Sequence, residues 1–270
     1  MAYLYLKQGK NYSQSRPNYP EELFHFIASK TPHHDLVWDA GTGNGQAASS
    51  LAKIYKNVIA TDTSQKQLEL ASRLPNVQYK CTSPTMSAEE LERDVAKQAT
   101  VDLVTVGQAI HWFDRPKFYQ QVQLVLKKPQ GVIAAWCYTT PQVNARVDAV
   151  FNKFYFVDSR PYWHPGRNLI YDKYESIEFP FFPVEGAENT GPFEFMTEKL
   201  MSLDELLAYA KSGSAYETAL EKGVDLMSED VIEEFRSAWA EDGNNQKVAK
   251  FPIYLRIGKA GMSLQDYIRR

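Results

Sequence analysis

Residues 36–46 read LVWDAGTGNGQ and lead from an apolar segment through a glycine-rich turn into a helix. Asp39 follows the apolar residues, and glycines stand at the alternate positions 41, 43 and 45. This order predicts a buried strand whose carboxyl end opens into a ligand crevice of a parallel sheet. Glycine suits such a turn because it accepts positive φ and lets a ligand approach the backbone closely.

The spacing of the glycines separates two classes of nucleotide ligand. A dinucleotide-binding turn has the pattern G-x-G-x-x-G, which would place its third glycine where this chain has Gln46. A second acid, Asp62, ends the next apolar segment, NVIATD at 57–62, and lies about twenty residues beyond the turn, where ribose hydroxyls are bound. Both ligand classes use that acid, so it indicates only a nucleoside.

Strand and helix patterns alternate through the first half of the chain, which predicts a doubly wound parallel sheet. Further strands are predicted at 76–81, 101–107 and 131–138, and helices at 20–29, 46–55 and 114–126. Capping-box patterns, Ser64 with Gln67 and Ser87 with Glu90, predict two more helix starts. Beyond residue 141 an aromatic and proline-rich stretch follows one helix, and the pattern then predicts helices near 202–211 and 228–239 and a strand at 251–257.

Several motifs in this order resemble the class I S-adenosylmethionine-dependent methyltransferases. They are D-x-G-x-G-x-G from Asp39, the acid after the second strand, AIHWFD at 109–114, LKKPQGVIAAWCY at 126–138, RPNYP at 16–20, SGSAY at 212–216 and FPIYLRIGK at 251–259. More narrowly, they resemble the plant embryo-abundant-like branch of the type 11 methyltransferases, which is related to trans-aconitate methyltransferases. One departure is Gly213, where the branch would have an aromatic residue.

The resemblance implies an α/β, Rossmann-like fold with a mostly parallel seven-stranded sheet, an antiparallel edge strand, helices on both faces and a cap insert. It divides the chain into four regions. These are residues 1–30, an N-terminal arm and helix that close over the site; 31–140, the S-adenosylmethionine-binding core; 141–215, a substrate cap; and 216–270, C-terminal helices and an edge strand that complete the core.

The implied cofactor is S-adenosyl-L-methionine, whose sulfonium carries an already activated methyl group. The resemblance places cofactor contacts at Asp39, Gly41, Gly43, Gly45, Asp62, Thr63, Gln67, Ser83, Gln108 and Tyr12. Asp62 would bind the ribose hydroxyls, and the backbone N–H groups at the helix start near Gln46 would favour the cofactor's carboxylate.

The acceptor is expected beyond the fourth strand, where His111 and Trp112 follow. His111 is the candidate catalytic residue, either as a base for a hydroxyl or amine or as a donor that orients a carboxylate. A third reading has His111 and Trp112 packing the strand-to-helix turn. The implied acceptor contacts are Arg16, Tyr19, His111, Trp112, Tyr138 and Trp163, and Arg160 and Arg167 are further cations for an anionic acceptor.

Composition limits the other partners. The 270-residue chain has a formal net charge of -3 and a pI near 6.0, which disfavours nucleic acid. Cys81 and Cys137 lie in apolar segments and are expected to be buried free thiols, and the histidine spacing indicates no metal site. No signal peptide or membrane span is expected, so the predicted protein is cytoplasmic, binds no membrane, and is a monomer or homodimer.

The leading prediction is methyl transfer to a small molecule, with carboxyl O-methylation favoured. N- or hydroxyl O-methylation of a plant specialised metabolite is an alternative. Rivals from other classes are an NAD-type oxidoreductase and a cofactor-binding protein without transfer activity.

Overall fold

The computed structural model describes residues 16–261, which form two compact units. The sheet unit comprises residues 19–138, 169–195 and 253–261, and the helical unit comprises residues 16–18, 139–168 and 196–252. These borders differ from the predicted regions, because residues 169–195 belong to the sheet unit and the helices after residue 202 belong to the helical unit. The predicted arm up to Ser15, including Tyr12, lies outside the described residues.

The seven strands are β1 (Leu36–Ala40), β2 (Asn57–Asp62), β3 (Val77–Cys81), β4 (Leu103–Gly107), β5 (Val132–Tyr138), β6 (Phe193–Ser202) and β7 (Gln246–Lys259). They lie in the order β3-β2-β1-β4-β5-β7-β6. The first five pair in parallel, and β7 runs antiparallel to β5 in the register Ala135↔Arg256. The predicted antiparallel pairing is confirmed, and β6 takes the outer position beyond β7.

The α-helices are α1 (Glu21–Ser29), α2 (Gln46–Leu51), α3 (Gln65–Glu69), α4 (Ala88–Asp94), α5 (Arg115–Val125), α6 (Ala145–Asn152), α7 (Asn168–Tyr171), α8 (Leu203–Lys211), α9 (Ser214–Glu221) and α10 (Glu229–Trp239). Reciprocal capping boxes begin α4 at Ser87 and α8 at Ser202. At α3 only half of the predicted box forms, because the Ser64 hydroxyl accepts from the Gln67 N–H without a return bond.

The core of the sheet unit is built from strands that are apolar on both faces. Every residue of β5 is buried, and β1, β2 and β4 are buried over most of their length. Strands between helix layers read as continuous apolar runs for this reason. Phe118, Val122 and Val125 of α5 pack in this core as their spacing predicted.

Three expectations need correction. Cys81 is exposed, because it ends the outer strand β3, and only Cys137 is a buried thiol. β7 begins five residues before the predicted position 251, and β6 and α9 were not predicted. Burial alternates along residues 193–200 in the structure, but apolar and polar residue types alternate only in FEF at 193–195, so the sequence carried little signal for β6.

Candidate functional site

The glycine turn joins β1 to α2 and adopts left-handed backbone angles. Gly41, Gly43 and Gly45 have φ of 70°, 57° and 81°, a region that side chains other than glycine rarely occupy. A Cβ on Gly41 would lie 2.7 Å from the Ala109 Cβ. A Cβ on Gly43 would have no heavy atom of the described chain within 4 Å, apart from those of the glycine and its two chain neighbours. Gly41 is therefore needed for packing as well as conformation, whereas Gly43 faces open space that a ligand can approach.

Asp39 holds this turn from within the sheet unit. It is 1% exposed, and its two carboxylate oxygens accept hydrogen bonds of 2.6 Å from the hydroxyls of Thr42 and Thr105. Burial raises the pKa of the Asp39 carboxyl to about 6, and the two hydroxyl bonds oppose that shift. The carboxylate thus ties the turn to β4, so the geometry gives Asp39 a positioning role.

Asp62 at the end of β2 reaches the same turn. Its Oδ2 accepts a hydrogen bond of 2.8 Å from the Gly43 N–H, and its Oδ1 accepts one of 2.8 Å from the Ser64 N–H. Partial burial raises the pKa of Asp62, against the opposing effect of the backbone N–H bonds. A carboxylate oxygen can accept more than one hydrogen bond, so both oxygens retain capacity for ligand hydroxyls.

The remaining residues predicted for the nucleoside end follow β2 and β3. The backbone N–H of Thr82 donates to the Asp62 carbonyl, which brings the end of β3 beside Asp62. Thr63 and Ser83 are exposed, and the Ser83 hydroxyl bonds to the Thr85 carbonyl. Gln67 is 5% exposed, and its side-chain oxygen has no donor among the described residues. Asp62, Thr63 and Ser83 are thus brought to one edge of the sheet.

Gln108 follows β4 directly and has an unusual backbone conformation. Its φ is 56°, and its N–H donates to the Trp136 carbonyl at 2.8 Å. Its side-chain nitrogen donates to the Tyr138 carbonyl at 3.2 Å. The ring of Tyr19 lies 5.3 Å from that of Trp136 and 6.4 Å from that of Tyr138, between centroids. Gln108, Tyr138 and Tyr19 are therefore neighbours at the carboxyl ends of β4 and β5.

His111 lies in a short 3-10 turn, Ile110–Trp112, and is 4% exposed. Its Nδ1 and the Tyr174 hydroxyl share a hydrogen bond of 3.1 Å, and its ring lies 4.8 Å from the Trp112 ring. Tyr174 is fully buried, and Arg256 donates to its backbone carbonyl at 2.9 Å. His111 is thus held in a packed environment, and Trp112 is half-buried beside it.

The helical unit contains the predicted cations of the acceptor side. The Arg16 guanidinium lies 5.1 Å from the Tyr209 ring and donates to the Ser212 carbonyl. The Arg167 guanidinium lies 4.4 Å from the Trp163 ring. A Cβ on Gly213 would lie 2.9 Å from the Trp163 ring, so the glycine at this position makes room for that indole.

Three residues at the sheet-unit site were not predicted. Thr42 and Thr105 bind Asp39, and Tyr174 binds His111. Thr42 lies within the glycine turn, only three residues after Asp39, so this contact could have been predicted from the sequence. The other two lie 66 and 63 residues from their partners, so only the folded chain reveals them.

Comparison with known proteins shows the family to which the chain belongs. The methyltransferase domain family matches residues 38–135, which contain the glycine turn, Asp62 and Gln108. A candidate methyltransferase of Dictyostelium discoideum is 32% identical over 93% of this chain and 92% of its own length. A candidate S-adenosylmethionine-dependent methyltransferase of Saccharomyces cerevisiae is 25% identical over 77% of this chain and 79% of its own.

A solved structure shows the same fold. A candidate type II methyltransferase from Anaeromyxobacter dehalogenans superposes with a TM-score of 0.76 and 28% identity, over 92% of this chain and 99% of that one. The chain belongs to the class I S-adenosylmethionine-dependent methyltransferases and uses S-adenosylmethionine. The site fits this cofactor, because Gly43 faces open space and Asp62 has oxygen atoms that can accept from ribose hydroxyls.

The described residues contain neither a membrane-spanning helix nor a cluster of metal ligands. Within residues 16–261 no helix is both long and apolar enough to cross a membrane. In the same range no three His, Cys, Asp or Glu side chains are grouped so that they could hold a metal ion.

Proposed function

We propose that this methyltransferase transfers the methyl group to a carboxylate oxygen of a small molecule. The observation that carries the proposal is the environment of His111, the residue predicted as a base. It is 4% exposed and bonded to the buried Tyr174 hydroxyl, which suits an orienting side chain better than a base open to an acceptor. An ionised carboxylate needs no base, because it is already a nucleophile at neutral pH.

The chemistry requires positioning more than proton transfer. When bound, S-adenosylmethionine supplies a methyl group on a positively charged sulfur, which leaves as a neutral thioether. The Gly41–Gly45 turn and Asp62 would hold the nucleoside and amino-acid ends at the edge of the sheet. Gln108 lies at the end of β4, where cofactor and acceptor would meet, and would contact the cofactor. Tyr138 at the end of β5 would contact the acceptor. Holding two reactants in line in this way supplies much of the rate enhancement of a direct displacement.

Aromatic-stacked arginines in the helical unit support an anionic acceptor. Arg167 lies against Trp163, and Arg16 lies against Tyr209. Arginine combines stacking on an aromatic face with planar, bidentate recognition of carboxylates. We propose Arg16, Arg167 and Trp163 as acceptor-binding residues on this basis. The resemblance supports Tyr19, Trp112 and Tyr138 as further proposed acceptor contacts.

The proposals for the branch of the family and for the class of acceptor rest on the sequence. The motifs at 109–114, 126–138 and 251–259 support the plant embryo-abundant-like branch, related to trans-aconitate methyltransferases, although the relatives described above come from an amoeba, a yeast and a bacterium. The mildly acidic composition supports a small-molecule acceptor over nucleic acid. We further propose a cytoplasmic protein that acts as a monomer or homodimer.

The test uses cofactor with a tritiated methyl group and a panel of small mono-, di- and tricarboxylic acids, each paired with its carboxamide. We expect label to pass to one or more acids and to none of the paired amides. Mild alkali should then release the label as volatile methanol, because methyl esters hydrolyse whereas methyl ethers and N-methyl groups do not. Transferred label that resists alkali would contradict carboxyl methylation and would indicate an amine or hydroxyl acceptor.

A further inference from the structure

The side-chain oxygen of Gln108 is buried in a position that requires a hydrogen-bond donor. Among the residues that the structure describes, no group donates to this Oε1 atom. The amide orientation is fixed, because the nitrogen donates to the Tyr138 carbonyl and a flipped amide would place two oxygens against each other. Leaving a buried acceptor without a donor is unfavourable.

The backbone at Gln108 is also held in a costly conformation. Its φ of 56° is left-handed, which glycine adopts readily and other residues do not. The hydrogen bonds to the carbonyls of Trp136 and Tyr138 hold both the backbone and the side chain in place. Backbone strain of this kind persists where the surroundings enforce it, and it clusters at functional sites. Two independent features, the strain and the buried oxygen, thus meet in one residue.

The place of Gln108 in the sheet indicates what meets this oxygen. Gln108 lies at the carboxyl end of β4, where open α/β sheets bind ligands, and next to Ala109, whose Cβ lies against Gly41 of the glycine turn. We propose that Gln108 Oε1 accepts a hydrogen bond from an N–H or O–H group of a ligand and so selects for ligands that carry such a donor. The donor is either the α-ammonium of the cofactor or an amine or hydroxyl of the acceptor. This proposal rests on family membership and not on the carboxylate as the methylated group.

Calorimetry tests the cofactor as the source of the donor. The proteins are the wild type, Gln108→Leu, Gln108→Glu and the control Gln65→Leu, which changes an exposed glutamine of α3. The probes are S-adenosylhomocysteine and 5′-methylthioadenosine, which lacks the amino-acid end. If the donor is the ammonium, Gln108→Leu weakens S-adenosylhomocysteine binding on the order of ten- to a hundredfold and leaves 5′-methylthioadenosine unchanged. Gln108→Glu keeps an acceptor oxygen and should retain the affinity.

Methyl transfer tests the acceptor as the source. A pool of hydroxy and amino acids is compared with a pool of the matched acids that lack those groups, using tritiated cofactor. If the donor belongs to the acceptor, the wild type prefers the first pool, and Gln108→Leu loses that preference while its affinity for S-adenosylhomocysteine stays unchanged. Two results for Gln108→Leu would overturn the proposal. One is an equal loss of affinity for S-adenosylhomocysteine and 5′-methylthioadenosine, and the other is a variant that keeps both its cofactor affinity and its preference for the first pool.

Discussion

At the scale of single residues, the site depends on side chains that hold the backbone in place. The resemblance placed Asp39 among the cofactor contacts. In the structure its two carboxylate oxygens accept hydrogen bonds from threonine hydroxyls. Asp62 bonds to the backbone N–H groups of Gly43 and Ser64 and keeps oxygen lone pairs for a ligand. The two acids around the turn therefore differ: Asp39 holds the turn in place, whereas Asp62 keeps the capacity to accept from a ligand and is proposed to contact it.

The buried Asp39 makes stability depend on pH. Its pKa of about 6 in the folded protein lies above the ordinary value of 3.8 for an aspartate. The folded state therefore binds more protons between about pH 4 and 6 and loses stability as the pH rises through this window. We expect the free energy of unfolding of the wild type to fall, relative to Asp39→Asn, by about 2 kcal/mol from pH 4 to pH 7. Urea denaturation at four pH values measures this difference, and parallel curves for the two proteins would contradict it.

Gly41 and Gly43, two of the three glycines of the turn, should differ in their effects on stability and on cofactor affinity. Gly41→Ala places a Cβ 2.7 Å from Ala109, so it should destabilise the fold by about 2–4 kcal/mol. Gly43→Ala meets only the left-handed backbone and should cost about 1–2 kcal/mol. The added Cβ would occupy the open space that the cofactor is expected to approach. We therefore expect Gly43→Ala to weaken cofactor binding even under conditions in which the variant is fully folded. Equal S-adenosylhomocysteine affinity for Gly43→Ala and wild type would show that no ligand approaches Gly43.

If His111 only orients the acceptor, replacing it with glutamine should reduce turnover only slightly. Glutamine at 111 can still bond to Tyr174, so His111→Gln should retain turnover within about tenfold of the wild type. A general base typically contributes about 10²–10⁴ in rate. The measurement is kcat/KM against pH for the acceptor found with labelled cofactor, with Tyr174→Phe as the matched variant. A loss of hundredfold or more with intact cofactor affinity would make His111 the base.

At the scale of elements, the segment 169–195 is tied to β7 through Arg256. This side chain is 9% exposed and donates to the Tyr174 carbonyl at 2.9 Å and to the Thr190 hydroxyl at 2.7 Å. Its guanidinium also lies 5.2 Å from the Phe179 ring, and burial lowers its pKa. Tyr174, which bonds to His111, is thus itself held in place by an arginine of β7, the strand that runs antiparallel to β5.

Replacing Arg256 should destabilise residues 169–195 more than it destabilises the strands of the sheet. Arg256→Met keeps the apolar stem and removes all of these donors, so buried carbonyl oxygens lose partners. We expect a loss of about 2–4 kcal/mol in the free energy of unfolding, with faster amide exchange concentrated in residues 172–192. Lys66→Met, which changes an exposed lysine of α3, serves as the control. Exchange that increases equally in β1 and β4 would show that Arg256 stabilises the sheet as a whole instead.

Much of the sheet could be predicted from the sequence because its signals are local. The apolar strands, the glycine turn, and the serine caps at 87 and 202 each lie within a few neighbouring residues. Tyr174 and Arg256 could not be predicted, since their contacts span 63 to 82 residues. The orientation of the Gln108 amide likewise depends on a carbonyl 30 residues away, so its place at the end of β4 could be predicted but its hydrogen bonds could not.

At the scale of the whole molecule, family, fold and turn geometry agree. Similarity to the Dictyostelium discoideum relative extends over 93% of the chain, so it covers residues of the helical unit as well as the sheet unit. The matched domain at 38–135 lies within the sheet unit and contains both acids of the turn. The central claim is therefore that the turn between Asp39 and Asp62 binds S-adenosylmethionine.

Calorimetry of S-adenosylhomocysteine and NAD with the wild type, Asp62→Ala and the exposed control Asp114→Ala tests this claim most directly. We predict that S-adenosylhomocysteine binds the wild type and that NAD does not. Asp62→Ala should weaken binding by about 1.5–3 kcal/mol, the range for hydrogen bonds to a charged group, and Asp114→Ala should bind as the wild type does. Tight binding of NAD, or an S-adenosylhomocysteine affinity unchanged in Asp62→Ala, would contradict the account.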